Sequence, residues 1–146
     1  MIVKALSLKE PWASRIRDGQ KTIETRLWAT AYRGPLLICA SKDPPILLAG
    51  HAVALCRLVE CRRMVPADEG AAGCSVYPGA WSWVLSKVQQ ITPFRVKGQQ
   101  RLFDVELPST VGNWCALGKV DDPAPPVVVA ALRAAVAAFS EDTAEL

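Results

Sequence analysis

A single histidine, His51, stands in 146 residues, and the five cysteines (Cys39, Cys56, Cys61, Cys74 and Cys115) form no C-x-x-C pair. Without that spacing or a second histidine, no zinc site can be assembled from the usual ligand sets. No cofactor motif is present either, so neither a metal nor a cofactor is expected. His51 has no carboxylate or serine partner suggested by spacing, and a structural role is expected for it. The opening residues, Met-Ile-Val-Lys, lack the layout of a signal peptide. The longest apolar run, Val127 to Phe139, is broken by Arg133 and falls short of the roughly 20 residues that span a bilayer. An odd number of thiols behind such a start favours a cytoplasmic protein without membrane contact. There is no internal repeat.

What is present describes one soluble globular domain: 51% of the residues are hydrophobic and 21% charged, in a chain long enough for a real core and too short for two. The net charge of +3 divides unevenly. Residues 121–146 hold Asp121, Asp122, Glu141, Asp142 and Glu145 against Arg133 alone, a net −4, which leaves +7 on the first 120 residues. A basic body with an acidic tail suits an anionic ligand such as nucleic acid.

Val3–Leu8 reads as a strand. Pro11 suits the first turn of a helix, where a missing N–H costs nothing, and Trp12, Ala13 and Ile16 share one side of that helix. Gly19 is placed to cap it in the left-handed conformation. A strand is predicted over Thr22–Trp28, then a loop at Tyr32-Arg33-Gly34-Pro35 and a buried strand at Leu36–Ala40. Asp43-Pro44-Pro45 stops that strand, with a helical turn over Pro45–Gly50. His51–Val65 alternates as a strand, Gly70–Gly79 reads as a loop, and Trp81–Ile91 is a strand with Trp81, Trp83 and Leu85 on one face. Phe94–Val96 and Leu102–Leu107 complete the set across the polar turn Lys97-Gly98-Gln99-Gln100. Many strands, few helices and short connections predict an α+β fold on a curved sheet or small barrel. Residues 108–126 are expected to form a connecting loop or linker stiffened by Pro123, Pro125 and Pro126. Residues 127–146 are expected to form a helix, with Leu132, Val136 and Phe139 on one stripe, and an acidic tail. Docking of that helix on the body is expected, with a homodimer or partner contact as the alternative.

The densest chemistry lies in Gly19-Gln20-Lys21-Thr22-Ile23-Glu24-Thr25-Arg26, a G-x-K-x-x-E-x-R string. On a strand, Glu24, Arg26 and Trp28 share one face, while Ile23, Thr25 and Leu27 face a core. Lys21 and Arg26 suit a phosphate. Glu24 can accept from an exocyclic amine such as cytosine N4, and Trp12 or Trp28 can stack on a base. Such contacts fit a single-stranded or flipped nucleotide better than a duplex groove. Desolvated, Lys21 has the chemistry of a base or nucleophile, with Glu24 handling protons. The plainer alternatives are a surface ion pair for Glu24 and Arg26, worth at most ~1 kcal/mol, and a packing role for Trp12. Trp81, Trp83 and Trp114 are expected in the core. Arg57, Arg62 and Arg63 fit an RNA-contacting edge or, better, a solvated strand edge.

Ser7-Leu8-Lys9-Glu10-Pro11-Trp12-Ala13 followed by the G-x-K-x-x-E-x-R string resembles the ASCH domain family, relatives of the PUA domains of RNA-modifying enzymes. Tyr32-Arg33-Gly34-Pro35-Leu36-Leu37-Ile38, Ala40-Ser41-Lys42 and the Trp81–Phe103 strands extend the resemblance over residues 1–107. It implies a PUA-like small mixed β-barrel with surrounding helices and a cleft for RNA, nucleotides or nucleosides. Lys21, Glu24 and Arg26 would line its mouth, joined by Ser7, Lys9, Trp12, Ser41 and Lys42, with Trp28 at the rim. Members of the family include coactivator modules, proposed ribonucleases and an amidohydrolase of acetylated cytidine. That last branch has a threonine where this chain has Glu24, and a further glutamate for which Glu60 and Glu69 are the candidates. The resemblance implies an RNA- or nucleotide-binding module, with or without RNA-directed hydrolysis. The alternatives are an enzyme on a modified nucleoside, with Lys21 and Glu24 catalytic, and a protein-interaction module built on the C-terminal helix.

Overall fold

Alternating apolar residues in Ile2–Leu8 make a strand (β1) that buries Val3 and Ala5 on one side and Leu6 and Leu8 on the other. The computed structural model describes residues 1–111. After β1 come α1 (Trp12–Arg17), β2 (Ile23–Arg26), β3 (Gly34–Ala40), β4 (His51–Arg63), a 3₁₀ turn (Pro66–Asp68), α2 (Glu69–Ala72), β5 (Trp81–Arg95) and β6 (Phe103–Glu106). The six strands form one mixed sheet in the order β2-β5-β4-β3-β1-β6. Among the described residues only the β1–β3 pair is parallel. A parallel neighbour needs a crossover, and α1 with β2 supplies it, α1 packing against β3, β4 and β5.

Both faces of the sheet are covered. Leu6, Ile16, Leu36, Ile38, Cys56, Leu58 and Trp83 make the cluster beneath α1, and Val3, Ala5, Leu37, Cys39, Leu55, Ile91 and Phe103 make the opposite one. A third, smaller cluster (Ile23, Met64, Ala72, Ala80) seats α2 against β2. Burial alone pushes the Cys39 and Cys56 thiols up to about 12, which makes them inert core residues.

Several elements differ from the sequence expectation. The sheet is mixed as expected, but its strand order ends at β2 and β6, and among the described residues no ladder joins those two into a barrel. β5 runs unbroken through Phe94, because β4 pairs with it from Trp81 to Arg95. The turn expected over Pro45–Gly50 is confined to residues 47–50, and the glycine-rich segment opens with α2, closed by Gly73 at φ 72°. β2 stops at Arg26, so Leu27 leaves the sheet and is 70% exposed instead of entering a core. Of the three arginines on β4, Arg57 lies where the strand runs between β3 and β5, whereas Arg62 and Arg63 lie past the end of the β3 ladder, pair with β5 alone and form the expected strand edge. The expected C-terminal helix, the linker, Trp114 and Cys115 lie outside the described residues.

Bulges in the β4–β5 ladder account for one local failure of alternation. The register shifts between Ala52 and Ala54, so Val53 and Ala54 both fall in the cluster under α1. A bulge leaves backbone groups unpaired, and here Arg17 serves them. Its Nε donates to the Val53 carbonyl at 2.9 Å and its Nη2 to the Ile91 carbonyl at 3.2 Å, from a side chain in a residue only 3% exposed.

Candidate functional site

Because β1 and β3 run parallel in register, with Leu8 beside Ala40, the residues that follow them emerge side by side. The Ser41 N–H donates to the Leu8 carbonyl at 2.7 Å, which sets Ser7 and Lys9 next to Ser41 and Lys42. The chain then turns into α1, whose start is held by Glu10. One carboxylate oxygen accepts from the Ser14 N–H at 2.8 Å, and the other from the Ser14 hydroxyl at 2.6 Å and the Leu48 N–H at 3.1 Å. Gly19, at φ 81°, provides the left-handed residue that reverses the chain from α1 towards β2.

These elements enclose a cavity of about 1080 Å³. All nine residues singled out from the sequence line it: Ser7, Lys9, Trp12, Lys21, Glu24, Arg26, Trp28, Ser41 and Lys42. The string that reads as one strand face is in fact a buried chain of charge. Lys21 Nζ donates to the Ala72 carbonyl at 2.6 Å and lies 3.5 Å from Glu24 Oε1. That same carboxylate oxygen accepts from the Thr25 N–H at 2.9 Å, and Oε2 pairs with Arg26 Nη2 at 3.1 Å. Arg26 Nη2 also donates to the Ser7 carbonyl at 2.9 Å, tying β2 to β1. Lys21 is 3% and Glu24 8% exposed, so the pair is not the solvated surface contact that spacing alone allows. Desolvation holds the Lys21 ammonium below its ordinary pKa, with the Glu24 charge as the principal opposing influence.

Neither tryptophan presents two bare faces. Lys21 Nζ lies 5.4 Å and the Arg15 guanidinium 4.9 Å from the Trp12 ring centre. Trp28 meets Trp83 edge to face, centroids 4.7 Å apart, and carries the Arg101 guanidinium at 4.8 Å. Trp12 therefore combines packing against the core cluster with a place in the cleft wall.

Sequence reasoning missed the opposite wall. Cys74 and Tyr77 come from the segment after α2, and Lys97, Gly98, Gln99, Gln100 and Arg101 from the β5–β6 connection. The only signal for the latter was a polar turn, which by itself says nothing of where the turn points. Gly98 marks the closest approach: a Cβ there would lie 3.0 Å from Ser7 Oγ, so the connection packs directly on the end of β1. The completed lining holds Lys9, Lys21, Arg26, Lys42, Lys97 and Arg101 against the single carboxylate of Glu24. Among the described residues there is no group of His, Cys, Asp or Glu that can hold a metal ion, and no helix long and apolar enough to cross a membrane.

Two residues outside the cleft hold its α2 wall. Asp68 Oδ2 accepts from Arg62 Nη1 at 2.6 Å, Ser82 Oγ at 2.9 Å and the Val65 N–H at 3.1 Å, and Oδ1 accepts from Arg62 Nη2 at 2.8 Å. The Arg62 guanidinium, ahead of the Val65 and Ser82 hydrogen bonds, holds the Asp68 carboxyl well below the usual carboxylate range. The native state thus keeps this proton off at pH values where the unfolded chain binds it. The stabilisation is complete above the unfolded value of about 3.9 and is lost as pH falls towards the native one. Asp68→Asn is expected to cost about 2 kcal/mol at pH 7, less than a fully buried pair because Arg62 is partly exposed. The difference between wild type and variant in urea unfolding should shrink as pH is taken below 3. A difference that stays constant with pH would remove the linkage.

A mixed six-stranded sheet with a basic, tryptophan-walled cleft at the ends of its parallel pair defines a class of small domains by fold and site. Residues 6–95 match the ASCH domain, and the chain belongs to the ASCH domain family. Among solved structures it is similar to the ASCH protein of Zymomonas mobilis, with 18% identity and a TM-score of 0.57 over 70% of this chain and 87% of that one. Two single-residue variants of that protein, each 16% identical, superpose with TM-scores of 0.55 and 0.54 over 70% of this chain and 89% and 87% of theirs. At this identity the likeness is one of fold. No curated protein is similar enough to match the chain.

Proposed function

We propose that the chain binds single-stranded RNA, or a nucleotide, in this cleft. The observation that carries the reading is the balance of charge. Lys9, Lys42, Lys97 and Arg101 are exposed around the cavity, while its one carboxylate is already shared by Lys21 and Arg26. Such a site attracts phosphates and has no free anion to repel them. Membership of the ASCH family is consistent with RNA as the ligand. A cavity of about 1080 Å³ is of the size that takes a nucleotide.

Binding is favoured over hydrolysis by the state of the two candidate catalytic groups. Lys21 Nζ is committed to the Ala72 carbonyl and Glu24, and both Glu24 oxygens are engaged. Both groups line the cavity, but a substrate would have to replace these contacts before either could act as a general base. An amidohydrolase reading would also need a hydroxyl nucleophile at position 24, where this chain has a carboxylate.

The test is titration of a labelled short single-stranded RNA by fluorescence anisotropy over a range of salt, with product analysis of the same mixtures for cleavage. Affinity is expected to fall linearly with the logarithm of salt concentration. Lys9→Ala combined with Lys42→Ala should flatten that slope by about 1.4, roughly 0.7 for each phosphate that is no longer neutralised. Absence of binding to any RNA or nucleotide, or binding indifferent to salt, removes the proposal.

A further inference from the structure

Arg101 covers the ring of Trp28, an aromatic side chain in the cleft lining. Its guanidinium carbon lies 4.8 Å from the centre of the Trp28 ring. The ring is held by its T-shaped contact with Trp83, whose Nε1 donates to the Trp28 carbonyl at 3.3 Å. Trp28 is thus an anchored platform, whereas Arg101 is exposed and among the described residues forms no ion pair. Its backbone is also unusual, with φ 60° in the left-handed region, which a non-glycine residue adopts at some cost. A strained residue therefore holds a planar cation over an indole at the mouth of a basic cavity.

We propose that Trp28 and Arg101 form a nucleobase clamp, in which a base enters between the indole and the guanidinium and is stacked on both faces. Arg101 is a ligand-binding residue in this scheme, and its contact with Trp28 is the closed, ligand-free form of the clamp. The proposal rests on the nucleotide-binding reading above and adds to it a subsite for the base, distinct from the lysines suited to the phosphates. A guanidinium is suited to the role because it is planar and weakly hydrated, and it stacks on aromatic faces as an ammonium does not. Base–indole stacking is also stronger than an exposed cation–π contact, so an incoming base displaces the guanidinium from the ring without net loss. Gly98, packed on Ser7, gives the loop a fixed pivot three residues before Arg101.

The experiment compares two probes of equal charge, a uridine pentanucleotide and an abasic ribose-phosphate pentamer, against wild type, Arg101→Ala and Arg101→Lys. Wild type should bind the uridine probe more tightly than the abasic one. Arg101→Ala should weaken uridine binding about tenfold, equivalent to about 1.4 kcal/mol, and abasic binding much less. Arg101→Lys should keep abasic affinity and still lose the advantage of the base, because the charge remains while the stacking plane is gone. Circular dichroism and thermal unfolding of both variants establish that the fold is intact, as expected for an exposed loop side chain. If wild type binds both probes but Arg101→Ala leaves the uridine-over-abasic ratio unchanged, or Arg101→Lys restores it, the clamp is overturned and RNA binding stands. If wild type binds neither probe, nor any nucleotide, both proposals fall.

Discussion

Glu24→Gln is expected to cost about 3 kcal/mol of folding stability, and Lys21→Met only about 1 kcal/mol, although the two residues form one ion pair. The asymmetry follows from who else each partner has. Without Lys21, the Glu24 carboxylate keeps the Arg26 guanidinium at 3.1 Å and the Thr25 N–H at 2.9 Å. The methionine also refills the volume against Trp12, leaving only the Ala72 carbonyl without its donor. Without Glu24, by contrast, a lysine that is 3% exposed loses its counter-ion. Removing one member of a buried pair strands the other charge, which costs more than the pair contributes.

The same substitution carries a pH signature. Burial already holds Lys21 below its ordinary pKa, and Glu24 is the main influence raising it; with glutamine in place the lysine falls further. The folded variant then gives up a proton that the unfolded chain keeps until about pH 10. Stability of the variant accordingly rises with pH through that interval, and its deficit against wild type is largest at neutral and lower pH. Equal costs for the two substitutions in urea unfolding at pH 7, or a deficit that grows on the alkaline side, would show that Glu24 is not the group that holds the lysine. In ligand binding, Glu24→Gln should leave base preference unchanged, because both carboxylate oxygens already serve the protein. A lost preference for cytosine would restore the role in base recognition that its chemistry suggests when the sequence is taken alone.

How much of this is legible in the sequence depends on whether the information is local. The helix–glycine–strand unit around Gly19 is a local pattern, and its three charged residues fall where the spacing puts them. Their burial does not follow from spacing, since it arises from α2 closing over Lys21 through the Ala72 carbonyl. Ser41 and Lys42 could be linked to Ser7 and Lys9 only through a family resemblance, because no local signal says that β1 and β3 are parallel neighbours. The β5–β6 connection, with Arg101, is invisible for the same reason: a polar turn has no address until the sheet order is known. Leu27 departs from expectation because alternation was extended past the end of the β2–β5 ladder, which pairs Arg26 with Trp81 and stops.

Arg17 is the residue with the least local signal and one of the largest expected effects. It sits beside Asp18 and Gly19 at the end of a short helix, where an arginine usually reaches water. Instead the bulge that β4 makes around Val53 turns carbonyls towards α1, and Arg17 answers those of Val53 and Ile91. Burial lowers its pKa and Asp18 opposes the shift, yet an arginine stays charged in any case, so the cost of desolvation is carried by the fold. Arg17→Met preserves most of the side-chain volume and removes both donors. Each orphaned buried carbonyl costs about 1–3 kcal/mol and the departing charge returns part of that, which leaves a loss of about 3 kcal/mol. In a domain of this size that lowers the melting temperature by about 10 °C. Arg17→Lys should recover little of it, because a single ammonium cannot present the fork that spans two carbonyls 2.9 and 3.2 Å from different nitrogens. Since α1 also carries Trp12 into the cleft wall, RNA affinity should decline in the methionine variant well below its melting temperature only if α1 shifts. Unchanged affinity in the cold alongside the lowered melting point would show that Arg17 acts on stability alone, and an unchanged melting point would show that the bulge carbonyls find water without it.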